Sequence, residues 1–120
     1  MKLVIRSASV RGNVDLRAYA PDDIGNFAEQ VTLEIAPKNV SGADSFSVLV
    51  ATPSGLDALS AHDGILATRP LVVMRRYDFD DLWAWLERTV AQCEADGWPA
   101  CVENLRRFFD WEYAGYKEKL

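Results

Sequence analysis

His62 and Asp63, in the stretch "SAHDG", place an imidazole beside a carboxylate a few residues after Ser54 and Ser60. A serine hydroxyl served by such a base would be the start of nucleophilic catalysis. The stretch offers no strained strand-to-helix turn for the nucleophile, and Ser, His, Asp and Gly are equally the residues of an ordinary turn. A small hydrolase built on loop carboxylates and His62 is therefore an alternative, not the leading reading, and no catalytic set is expected. His62 is the single histidine, and seven residues separate Cys93 from Cys101, unlike the short spacings of zinc sites. No metal site is expected, and both cysteines are expected as reduced thiols in a core. The seven glycines are dispersed without a phosphate-cradling pattern, so no cofactor is expected either.

Carboxylates are the most abundant reactive groups: Asp22 and Asp23, Asp57, Asp63, and Asp78 with Asp80 and Asp81. A pair of them would suit glycoside hydrolysis or a hard cation, but their contexts give them plainer roles. Asp78 suits a helix N-cap and Asp81 the first turn after it; "PDDIGN" reads as a turn. Eighteen acidic against thirteen basic residues leave a net charge of -5. The basic residues are scattered, with only the pairs Arg75-Arg76 and Arg106-Arg107, so nucleic acid is not the expected partner. A net acidic protein is steered toward basic partners.

Four stretches carry strand patterning and must position these groups: 2–10, 27–37, 45–53 and 70–77. In 27–37, Phe27, Val31, Leu33 and Ile35 fall on one face; in 45–53, Phe46, Val48 and Val50 do the same. Such alternation predicts an antiparallel sheet with one covered face. "KNVSGADS" between the two supplies hairpin-loop residues. From Asp78 the period changes, and Phe79, Leu82, Trp83, Leu86, Val90 and Cys93 form a helical stripe. Gly97 is expected to cap that helix and Pro99 to open a second, running to about Phe109. Strands followed by helices predict a single α+β domain, about four antiparallel strands with two C-terminal helices on one face. No apolar run approaches the roughly 20 residues of a membrane span. Arg6 interrupts the first apolar run too early for a signal peptide, so no membrane partner and a cytoplasmic location are expected.

Between Phe108 and Tyr116 five of nine residues are aromatic. Phe108 and Phe109 continue the second helix's apolar stripe and are expected in the core. Trp111 and Tyr113 are expected to pack along the helix pair or the sheet edge. Trp85 falls on the flank of the first helix's stripe, either core margin or a half-exposed anchor among charges, the setting of a binding hot spot.

The stretches "SGADSFSVLVATP", "PLVVMRRYDFDDLWAWLE" and "FFDWEYAGY" resemble the immunity protein 8 family of bacterial polymorphic toxin systems. The likeness rests on Gly42, Ser45, Phe46, Val48, Thr52, Pro53, Trp111, Glu112, Tyr113 and Tyr116, and spans nearly the whole chain. It departs after Thr-Pro, where members often carry Trp-Leu and this chain has "SGLDAL". The resemblance implies a non-enzymatic inhibitor that binds and blocks a cognate toxin protein, for example a nuclease with a basic cleft. Asp22, Asp23, Asp80, Asp81, Trp85 and Glu112 are the candidate toxin-binding residues. A structural module forming a homodimer through the open sheet face is the remaining alternative.

Overall fold

A computed structural model of the chain describes residues 1–60 and 63–114. His62 and Tyr116 lie outside the described residues. The elements follow as β1 (Leu3–Val10), β2 (Val14–Asp15), a 3-10 turn (Leu16–Ala18), β3 (Ala28–Pro37), β4 (Asp44–Ala51), α1 (Pro53–Leu59), β5 (Leu71–Val73), α2 (Phe79–Gln92), α3 (Trp98–Leu105) and β6 (Asp110–Trp111). The strand order is β2-β1-β3-β4-β5, with β6 also paired to β4. The far edge of β4 is thus shared: β5 lies against Leu49–Ala51 and β6 against Phe46 and Ser47.

The expected α+β architecture holds, with differences in its parts, among them that α3 ends at Leu105, short of Phe109. The fourth strand is shorter than 70–77, and it runs parallel to β4 while every other pairing is antiparallel. Parallel neighbours need a crossover, and α1, a helix beyond the two expected, begins it. Thr52 caps α1 by accepting from the Gly55 N–H, and Pro53 occupies its first turn. Gly97 does not end α2; that helix closes at Cys93, and Gly97 instead precedes α3 with φ of 87°. Two-residue strands β2 and β6 complete the sheet.

One buried face organises the core. Leu3, Val10, Val31, Leu33, Ile35, Phe46, Val48 and Val50 face Leu82, Leu86, Val90, Cys101, Leu105 and Phe109 in a single cluster. The opposite face of the central strands carries Ser7, Gln30, Thr32, Glu34 and Ser47, all partly or fully exposed. Side-chain hydrogen bonds cap α2, tie its end to the sheet and join it to α3. The Asp78 carboxylate accepts from the Asp81 N–H at 3.0 Å, and Glu94, just after the C-cap of α2, accepts from the Leu3 N–H at 2.9 Å. The Asn104 amide donates to the Cys93 carbonyl, joining α3 to α2. Both cysteines are free and buried, and burial pushes the Cys93 thiol up, toward its neutral form. Among the described residues, no helix is long and apolar enough to cross a membrane.

The aromatic C-terminal run both fills the core and closes the sheet. Phe109 is fully buried, and Trp111 pairs opposite Phe46 while its indole N–H donates to the Asp44 carboxylate at 3.0 Å. Tyr113 meets the Trp111 ring edge-on at 5.5 Å.

Tyr77 gives a stability prediction. Its ring packs edge-on against Tyr19 and Phe27, at 5.3 and 5.1 Å, but its buried hydroxyl has no hydrogen-bond partner among the described residues. Burial first, then Asp78, pushes its pKa up. Tyr77→Phe keeps the ring contacts and removes the orphaned hydroxyl, so stability should hold or rise by up to about 1 kcal/mol. A loss of more than ~1 kcal/mol on chemical denaturation would show the hydroxyl to be usefully partnered.

Candidate binding surface

The candidate acids divide into two places. Asp22 and Asp23 are exposed in the turn before β3, where the Asp23 carboxylate accepts from the Gly25 N–H at 2.9 Å. The Tyr77 N–H donates to the Ile24 carbonyl at 2.7 Å, which ties this turn to the residue preceding the N-cap of α2. Asp80 and Asp81 are exposed in the first turn of that helix. Four acids far apart in sequence are therefore carried at one end of the molecule. Beside them, the Glu29 carboxylate binds Arg11 at 2.8 Å and accepts from the Tyr19 hydroxyl at 3.3 Å. Burial first, then Glu29, pushes the Tyr19 phenol up to about 12. The hydrogen bond to Glu29, the charge of that carboxylate, and more weakly the charges of Tyr19 and Asp22 raise the Arg11 pKa.

Glu112 stands elsewhere. Its carboxylate accepts from the Ser45 N–H at 3.0 Å, and its own N–H donates to the Ser45 carbonyl, so it fastens the β6 end to the start of β4. Ser45 and Ala51 lie six residues apart on that strand, ~20 Å at about 3.3 Å per residue, which separates Glu112 from the acidic end. Partial burial pushes the Glu112 pKa up, but hydrogen bonds with Ser45 and Tyr113 outweigh it and hold the carboxyl below its ordinary value. A depressed carboxylate stabilises the fold above the unfolded-state pKa of about 4.3, and that contribution is lost as pH falls through the folded value. Glu112→Gln should therefore be less stable than wild type near neutrality, with the difference closing below about pH 4. Paired denaturation curves across pH check this; a gap independent of pH would assign the effect to shape alone.

Trp85 lies between core and surface. It is half-buried, with its ring edge-on to Phe109 at 6.3 Å. Its remaining surface, together with Val72, forms the divide between two adjoining open clefts of about 560 and 540 Å³. Asp81, one helical turn earlier, lines the second cleft with it. Trp83 is engaged differently, stacked on Phe79 at 5.9 Å with the Arg17 guanidinium over both rings.

The arginines that look scattered along the chain are gathered in space. Arg69, Arg106 and Arg107 line the first cleft, and Arg75, Arg76 and Arg88 the second. They come from the approach to β5, the turn after it, α2, and the turn after α3, so no sequence spacing could have announced them. Among the described residues, no group of three or more His, Cys, Asp or Glu is placed to hold a metal ion.

The class these features define is an α+β protein whose helices cover one sheet face and whose accessible surfaces are charged, open clefts with an aromatic divide. Within that class the chain belongs to the immunity protein 8 family, whose family model matches residues 3–116. No curated protein and no solved structure matches it.

Proposed function

We propose that this chain neutralises a cognate bacterial toxin by occupying the toxin's working surface one-to-one, with no bond-making chemistry of its own. Membership of the immunity protein 8 family across residues 3–116 carries the reading. The acidic end supports it: Asp22, Asp23, Asp80 and Asp81 are exposed and offer negative charge to a basic surface, such as the substrate cleft of a nuclease toxin. Trp85 beside Asp81 supplies the amphipathic anchor that binding surfaces favour. Glu112 acts in this scheme by holding β6 in place. Complementary charge accelerates encounter and makes it sensitive to salt. Asp80→Lys combined with Asp81→Lys should slow association with the purified toxin about tenfold or more and flatten its dependence on ionic strength. Circular dichroism controls for a retained fold. Association kinetics equal to wild type would remove this end from the interface.

A further inference from the structure

Six of the chain's nine arginines line the paired clefts that meet at Trp85 and Val72: Arg69, Arg75, Arg76, Arg88, Arg106 and Arg107. Only Asp81 and Asp110 oppose them among the lining acids. In a chain of net charge -5, this is a local reversal of sign. We propose that the double cleft holds an extended acidic segment of a protein partner, laid along the outer edge of β5. The proposal deepens the toxin-binding reading above, on which it rests, by naming the chemistry of the segment that the partner contributes.

The edge of β5 is suited to such a guest. The Leu49 N–H donates to the Pro70 carbonyl at 3.2 Å, and the Met74 N–H donates to the Ala51 carbonyl at 2.9 Å. Alternation along a strand therefore turns the N–H and C=O groups of Leu71 and Val73 away from β4. Among the described residues β5 is the last strand in its direction across the sheet, so these groups face the cleft side with no described strand beside them. An extended peptide supplies the missing ladder partners, which is how strand addition gives affinity without demanding a sequence.

The arginines then supply selectivity. Among the described residues, only Arg106 of the six is in an ion pair, at 3.4 Å from exposed Glu103, and Arg106 also lies over the Trp111 ring. Guanidinium groups bind carboxylates in a two-pronged geometry that lysine cannot reproduce. Trp85, between the clefts, offers a flat apolar surface to the aliphatic parts of the guest. Nucleic acid also carries anions, but the acidic end next to the second cleft repels a continuous phosphate backbone while a short peptide avoids it.

The test uses the whole chain and a fluorescein-labelled octapeptide alternating Glu and Val, with a Lys-Val octapeptide and an oligothymidylate as competing probes. Fluorescence anisotropy should show the Glu-Val peptide binding, more weakly as salt rises, and the Lys-Val peptide not binding. Amide shifts on titration should centre on Leu71 and Val73, with the Trp85 indole moving. Arg75→Glu with Arg88→Glu should weaken binding about tenfold or more. Lys2→Glu with Lys38→Glu, the same change in net charge elsewhere, should leave it unchanged. Absence of peptide binding, equal binding of the Lys-Val probe, or indifference to the arginine reversals would overturn the proposal. So would preferential capture of the oligothymidylate, which would make the ligand a nucleic acid. A wild type that ignores the peptide while Arg75→Ser with Arg76→Ser self-associates would show that the arginines only guard a strand edge. None of these readouts involves the toxin, so their failure and a failure to protect cells are separate results.

Discussion

Gly55→Ala is expected to cost about 3 kcal/mol or more, because among the described glycines an added methyl overlaps backbone only there. A Cβ at Gly55 would lie 1.9 Å from the Phe27 carbonyl oxygen and 2.5 Å from its carbon. Both are backbone atoms, at the point where the chain enters β3, so no side-chain rotation relieves the overlap. The first turn of α1 or the start of β3 must move. Either shift disturbs the Thr52 N–H bond to the Phe27 carbonyl, which is 3.0 Å long. For a domain of this size the thermal midpoint should fall by roughly 12 °C or more. Calorimetry on the purified variant measures it; a fall under about 3 °C would mean that the close approach is not present in solution.

Thr52→Val should produce a comparable loss through a different cause. Thr52 is wholly buried, and its hydroxyl oxygen accepts from the Phe27 N–H at 3.1 Å and the Gly55 N–H at 3.2 Å. Valine has nearly the same shape, so the change leaves packing alone and strands two buried donors. Each orphaned donor costs about 1–3 kcal/mol, so the two together, the helix-cap bond among them, give a loss of about 2–6 kcal/mol. Thr52→Ser keeps the oxygen and should lose about 1 kcal/mol or less. If Val and Ser variants are equally destabilised in urea, the hydroxyl is not the cause. The pairing of Thr52 with Gly55 also seats the start of α1. It sets where α1 leaves the sheet, and so where the chain returns as β5 beside the arginine clefts.

This fastening is half-legible in the sequence. Thr-Pro ahead of Leu56 and Leu59 is a helix-opening signal, yet Ser54, Gly55 and Asp57 are turn residues and point to a loop. The long strands are legible because Val31, Leu33 and Ile35, then Phe46, Val48 and Val50, alternate over enough residues to define a face. The stripe of Leu82, Leu86 and Val90 is legible for the same reason. β2 and β6, at two residues each, have no period to read. Nor does Leu71–Val73 disclose its direction, since parallel and antiparallel strands alternate alike. A glycine between two helices fits the end of one or the start of the next, which is why Gly97 reads as a cap of α2 and yet opens α3.

The candidate surface is legible only in part, for a related reason. The acidic residues are visible as such, but the hydrogen bond from Tyr77 to Ile24 that brings Asp22 and Asp23 to the α2 end is not. Trp85 is visible as a residue on the flank of its stripe, though not as the divide between clefts. The arginines read as scattered because their common location depends on four elements meeting, which only the fold decides.

The most direct test of the proposed function is co-expression of this chain with a candidate toxin domain from a neighbouring gene, in a host sensitive to that domain, followed by size-exclusion chromatography of the pair. Survival is expected, with a one-to-one complex and toxin activity that disappears at equimolar ratio with both chains chemically unchanged. Dead cells, or protection by trace amounts of this chain with a covalently altered toxin, would contradict the proposed function.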